Sequence, residues 1–169
     1  MFELHSVADI EKPELYREIA QQLEALLAGE SDVVANAANT AALLYHALPD
    51  LNWAGFYFLR EHGELVLGPF QGKPACVRIA AGKGACGAAV VRRQSVLVED
   101  VLAFPGHIAC DSASRSELVV PLIAGETILG VIDLDSPSPS RFDMQDQQGI
   151  ETLARIYVAA CGVSGSRDG

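Results

Sequence analysis

The chain is predicted to be an α+β domain built on a mostly antiparallel sheet. Three features of the sequence predict it. Two early segments carry apolar residues at helical spacing. From Leu51 onward, short runs of aromatic and β-branched residues alternate with turn residues, as in strands joined by tight connections. From Asp143 a helical stripe returns. Two helices, a meander, a helical insertion, two more strands and a closing helix suit helices packed on an antiparallel sheet. With 169 residues and half of them apolar, one domain over 1–163 is expected, followed by a frayed tail at 164–169.

Pro13 suits the first turn of the opening helix, whose stripe is Leu15, Ile19, Leu23, Leu26 and Leu27, with Gly29 as its stop. Asp32 can cap a second helix carrying Val33, Ala37, Ala41, Leu44 and Leu48, which ends at Pro49. The aromatic run through Leu59 and the segment Glu64 to Leu67 read as a hairpin around the polar turn Arg60 to Gly63. Glycines and prolines from Gly68 to Cys76 mark a loop. A short strand at Val77 to Ala80, a helix from Ala85 to Arg93 and a strand at Val96 to Val98 follow. Loop or short helix from Phe104 to Ser114 carries His107 and Cys110. Strands Glu117 to Ile123 and Thr127 to Asp135 flank the turn Gly125-Glu126, and Asp143 caps a last helix with Ile150, Leu153, Ile156, Tyr157 and Ala160 on one face.

The net charge of -10 opposes nucleic-acid phosphates and anionic membranes, which are bound by surplus Lys and Arg. The N-terminal stretch lacks a basic region followed by an apolar run, and no apolar run is long enough to span a bilayer. A reducing cytoplasmic setting is therefore expected, where working or metal-bound thiols outnumber structural disulfides.

Three of the four cysteines, Cys76, Cys86 and Cys110, fall in one stretch, in neither CxxC nor zinc-ribbon spacing. A zinc site from these three with His107 is one reading, and inert core thiols are another, which suits Cys161 best. The third reading is redox work. A thiolate attacks an oxidised sulfur, the oxygen is protonated as it leaves, and a second thiol traps the sulfenic acid as a disulfide. Asp133 and Asp135 share one strand face, roughly 7 Å apart by strand rise. They form either a solvent-facing edge or, with Leu129 and Val131 before them, the mouth of an apolar-floored pocket. Glu117 starts the neighbouring strand, seven residues after Cys110. Converging acids raise one another's pKa, and a neutral carboxylic acid can donate a proton while another binds an ammonium. The same negative field disfavours a thiolate at Cys110, so a bound ammonium is expected to activate it. Trp53 and Tyr57 can wall off an S-methyl group, whereas Phe56 is expected in the core.

The segments NWAGFY (52–57), GPFQGKPAC (68–76), IAAGKGACGAA (79–89), HIACDSASRSELVVPL (107–122) and GVIDLDSP (130–137) together resemble the free methionine-(R)-sulfoxide reductases, a GAF-domain enzyme family. The resemblance covers nearly the whole chain. It implies a GAF-like fold with a six-stranded antiparallel sheet and packed N- and C-terminal helices, commonly a homodimer through those helices. It implies reduction of free L-methionine (R)-S-oxide, with thioredoxin supplying the electrons and no metal or organic cofactor. It assigns Cys110 as the attacking thiol, Cys76 as the main resolving thiol and Cys86 as a supporting or second resolving one. Glu117, Asp133 and Asp135 become acidic pocket residues, with Glu117 and Asp135 also in the catalytic set, and Trp53 and Tyr57 the aromatic wall. A non-catalytic GAF ligand sensor and a thiol redox sensor are the competing functions, separated from the enzyme by turnover.

Overall fold

The computed structural model describes residues 10–108 and 110–162. The tail expected at 164–169 lies outside them. Helix α1 spans Lys12–Leu27 with Pro13 in its first turn, and Gly29 follows its end at φ 79°. Helix α2 spans Val33–Ala47, and the Asp32 side chain accepts from the Ala35 N–H at 2.8 Å. Strands β1 (Trp53–Leu59) and β2 (Glu64–Gly72) form the expected hairpin. They are followed by β3 (Arg78–Ala80), α3 (Gly84–Arg92), β4 (Val96–Val98), β5 (Ser116–Ala124), β6 (Thr127–Ser136) and α4 (Met144–Ala160). Asp143 and Asp146 close a reciprocal capping box at the start of α4.

The sheet order is β3-β2-β1-β6-β5-β4, and every neighbouring pair is antiparallel. The two-residue period of the strands sorts their side chains onto two faces. Ala54, Phe56 and Phe58 of β1, Leu118, Val120 and Leu122 of β5, and Ile132 and Leu134 of β6 pack beneath α1, α2 and α4. Trp53, Tyr57, Val119 and Val131 turn to the opposite face, where they meet Ala85, Cys86 and Ala89 of α3. The helix side is closed at one end by Asp146, which takes Lys12 Nζ at 2.6 Å and the Tyr16 hydroxyl at 2.8 Å.

Two expectations need correction. Strand β2 does not stop at Leu67 but continues to Gly72, pairing Phe70, Gln71 and Gly72 with Gly55, Ala54 and Trp53. Pro69 is tolerated because the β1–β2 register shifts beside it and β3 pairs β2 only from Glu64 to Val66. Leu129 does not share the face of Val131; it packs against the helix-side core. A register shift between Leu122 and Ile123 changes the phase of β6 there. Gly130 sits at φ 155° in that irregularity, where a Cβ would collide with the Tyr57 carbonyl oxygen.

Candidate active site

The face under α3 holds a cleft lined by the acids, the aromatics and two cysteines, Cys86 and Cys110. Its floor comes from three adjacent strands. Trp53 of β1 is opposite Asp135 of β6, which is opposite Glu117 of β5; Asp133 lies between Gly55 and Val119. Glu117 and Asp133 are each only 6% exposed, and Asp135 is half-buried. Gly55 leaves room for the Trp53 and Phe70 rings, which stack at 5.3 Å; a Cβ there would meet Trp53 Cη2 at 2.6 Å.

Among the described residues no Lys or Arg forms an ion pair with Glu117, Asp133 or Asp135. The imidazole of His107 places its Nδ1 3.9 Å from Glu117 Oε2. Burial, reinforced by Asp135, pushes the Glu117 carboxyl up to about 8. Burial and then Glu117 raise Asp133 well above the usual carboxylate range, and burial and then Asp133 do the same to Asp135. His107 is lowered by burial. Burial and mutual repulsion thus favour the protonated forms of these acids, and no Lys or Arg among the described residues pairs with them.

The aromatics also anchor a loop. Trp53 Nε1 donates to the Lys73 carbonyl at 3.1 Å, and the Tyr57 hydroxyl donates to the Cys76 carbonyl at 2.9 Å. Cys76 on that loop is joined by a disulfide to Cys110, with a Cα–Cα distance of 5.7 Å. Cys110 lines the cleft; its loop is tied down by Asn52 Nδ2, which donates to Asp111 Oδ2 at 3.3 Å and Ser114 Oγ at 3.0 Å. Asp111 is held below the usual carboxylate range, first by the Ala113 N–H and then also by Lys73. Cys86, on α3, is buried and its thiol donates to Asp133 Oδ2 at 3.4 Å. Burial first, then Asp133, pushes that thiol up.

All eight singled-out residues thus meet around one cleft: seven line it, and Cys76 is tethered to it by the disulfide. Of the two readings of Asp133 and Asp135, the solvent-facing edge is the one the burial overturns. The zinc site of three cysteines and His107 is not formed, because two of its thiols are joined to each other. Cys161 is buried against the helix-side core and accepts from Asn36 Nδ2 at 3.7 Å. Phe56 lies fully in that core. The tether of Asn52, Lys73, Asp111 and Ser114 went unread in the sequence; only the adjacency of Asp111 to Cys110 and of Asn52 to Trp53 hinted at it.

The GAF domain family matches residues 34–160. A free methionine-R-sulfoxide reductase of Escherichia coli (strain K12) is 54% identical over 142 residues, covering 84% of this chain and 86% of that protein. Protein YtsP of Bacillus subtilis (strain 168) is 53% identical over 151 residues, covering 89% of this chain and 93% of that one. The X-ray structure of free methionine-R-sulfoxide reductase from Neisseria meningitidis in complex with its substrate superimposes with a TM-score of 0.91 at 46% identity, covering 97% of this chain and 98% of that one.

Proposed function

The chain belongs to the free methionine-R-sulfoxide reductases of the GAF-domain family, and from its site we propose that it reduces free L-methionine (R)-S-oxide to L-methionine. The observation that carries the reading is the Cys76–Cys110 disulfide standing at a cleft walled by the buried Glu117 and Asp133 and the half-buried Asp135. That disulfide is the end state of the sulfoxide cycle.

In the cycle, Cys110 attacks the sulfoxide sulfur. Glu117, which burial keeps protonated to about pH 8, gives its proton to the oxygen. Methionine leaves, the oxygen remains on Cys110 as sulfenic acid, and the methionine sulfur has gained two electrons. The Cys76 thiol then displaces water from that sulfenic acid and forms the disulfide. An external dithiol, thioredoxin, opens it by exchange and leaves oxidised in turn. No metal or organic cofactor enters these steps. Asp133 and Asp135 take the substrate ammonium, a counter-charge that no Lys or Arg among the described residues gives them, and Trp53 and Tyr57 border the thioether. Cys86 supports the site from α3. A peptide substrate has no free ammonium at this point, so binding it would leave buried acids unpaired. The enzyme works as a cytoplasmic homodimer joined through its terminal helices.

The test is a single-turnover experiment on reduced protein. Cys76→Ser should release one methionine per site and then stall, with thioredoxin unable to restart it as in wild type. If Cys76→Ser releases no methionine while Cys110→Ser does, the two roles are reversed.

A further inference from the structure

One group in the cleft is left over by the chemistry above. The Cys86 thiol neither attacks nor resolves in that cycle, yet it is buried at the centre of the acids. The Cys86 sulfur and one carboxylate oxygen each from Glu117 and Asp133 lie within 4.8 Å of one another. The second oxygen of Asp133, Oδ1, is buried and has no hydrogen-bond partner among the described residues, on a side chain only 6% exposed. An orphaned buried carboxylate oxygen marks a place where a donor or a cation belongs. A substrate ammonium satisfies carboxylates but gains little from a sulfur beside them. A thiol completing the triangle selects a thiophilic divalent ion over calcium or magnesium, which prefer all-oxygen shells.

We propose that Cys86, Glu117 and Asp133 form a reversible zinc site whose occupancy shuts the cleft to substrate. Zinc bonds to thiolate at about 2.3 Å and to carboxylate oxygen at about 2.0–2.2 Å, so the three atoms need to close by about 1 Å through side-chain rotation. Three protein ligands leave the fourth tetrahedral position to water, the pattern of an exchangeable ion rather than a structural one. Binding transfers no electrons. The Cys86 S–H proton, and any proton on the two carboxyls, passes to solvent as the zinc bonds form. Zinc then occupies two of the four acids that line the cleft. The blocking of turnover rests on the reductase reading; the binding itself does not.

Cobalt(II), a spectroscopic stand-in for zinc, tests the site in the oxidised protein. There the Cys76–Cys110 disulfide removes those two thiols, leaving Cys86 and Cys161 free. One equivalent of cobalt should produce a thiolate-to-metal charge-transfer band that zinc abolishes by displacement. Cys161→Ser should keep the band, Cys86→Ser should lose it, and Asp133→Asn should weaken cobalt binding at least tenfold. No band in folded wild type, or a band surviving in Cys86→Ser, overturns the proposal. If Cys86→Ser fails to fold, unweakened binding by Asp133→Asn overturns it instead. In the coupled assay, zinc should raise the apparent KM for the free sulfoxide at least tenfold, and a chelator should reverse it; unchanged KM at saturating zinc overturns the blocking role. Cobalt binding through Cys86 without any turnover of the metal-free protein would support the site and count against the reductase reading.

Discussion

The two faces of the central sheet are built from alternate residues of the same strands, and they obey opposite rules. Beneath the helices, Ile132 and Leu134 of β6 are fully buried among Phe56, Leu118 and Tyr157. Each such side chain contributes about 2 kcal/mol from burial alone, with no polar group to satisfy. One residue over, Asp133 and Asp135 enter an interior that offers them no Lys or Arg partner among the described residues. Burying unpaired carboxyls opposes folding, and burial with mutual repulsion raises both above the usual carboxylate range. The helix face holds the fold together. The α3 face carries the destabilisation that a zwitterionic ligand would relieve.

The sharpest contrast comes from the α3 side. Cys110→Ser should abolish release of the first methionine, a loss of at least 10³-fold measured by rapid quench. The protein should stay folded by circular dichroism. Residual single-turnover release near wild type would show that the reacting sulfur lies elsewhere.

Glu117→Gln should show function and stability moving in opposite directions. Removal of the proton donor should lower kcat/KM by about 10²-fold and remove the limb that falls above about pH 8. The same change should flatten the pH dependence of stability. The unfolded carboxyl loses its proton near 4.5 and the folded one near 8, so between these values the native state holds the extra proton. By linkage, stability then falls as pH rises through this window, and the loss is complete above about 8, on the order of a few kcal/mol. Thermal melts of wild type should lose ground from pH 5 to 8, and Glu117→Gln should lose less. Parallel melting curves would refute the buried-acid account.

The smallest effect belongs to the helix side. Ile132→Val, next to Asp133 in sequence but pointing the other way, should cost about 0.5–1.5 kcal/mol. That cost should be the same at pH 5 and pH 8, with kcat/KM unchanged. Denaturant titrations at both values check it, and a pH-dependent cost would mean the two faces are not independent.

These contrasts also mark what the sequence reveals. The helices and most strands were legible because each carries its own period, with caps at Asp32 and Asp143. The acids on one face followed from counting by two along β6. That counting failed at Leu129, because a bulge set by pairing with β5 is invisible within β6 itself. Strand β2 was cut short at Gly68 and Pro69 because local breakers carry no information about the partner strand that keeps the segment extended. The cysteines and acids as a group were visible, and the resemblance assigned their roles. The hydrogen bond of Cys86 to Asp133 joins residues 47 positions apart, and the tether of Asn52 to Ser114 joins residues 62 apart. Contacts of that range arise from the packing of loops over the sheet, which no local pattern encodes.

The central claim is that the cleft recognises one free amino acid through its ammonium and reduces its sulfoxide at Cys110. The most direct test compares free L-methionine (R)-S-oxide, its (S)-epimer and its N-acetylated form, following NADPH consumption through thioredoxin and its reductase. Turnover of the free (R)-epimer, with the other two slower by at least 10²-fold, is the predicted result. Equal rates on the free and N-acetylated (R)-sulfoxides would contradict it.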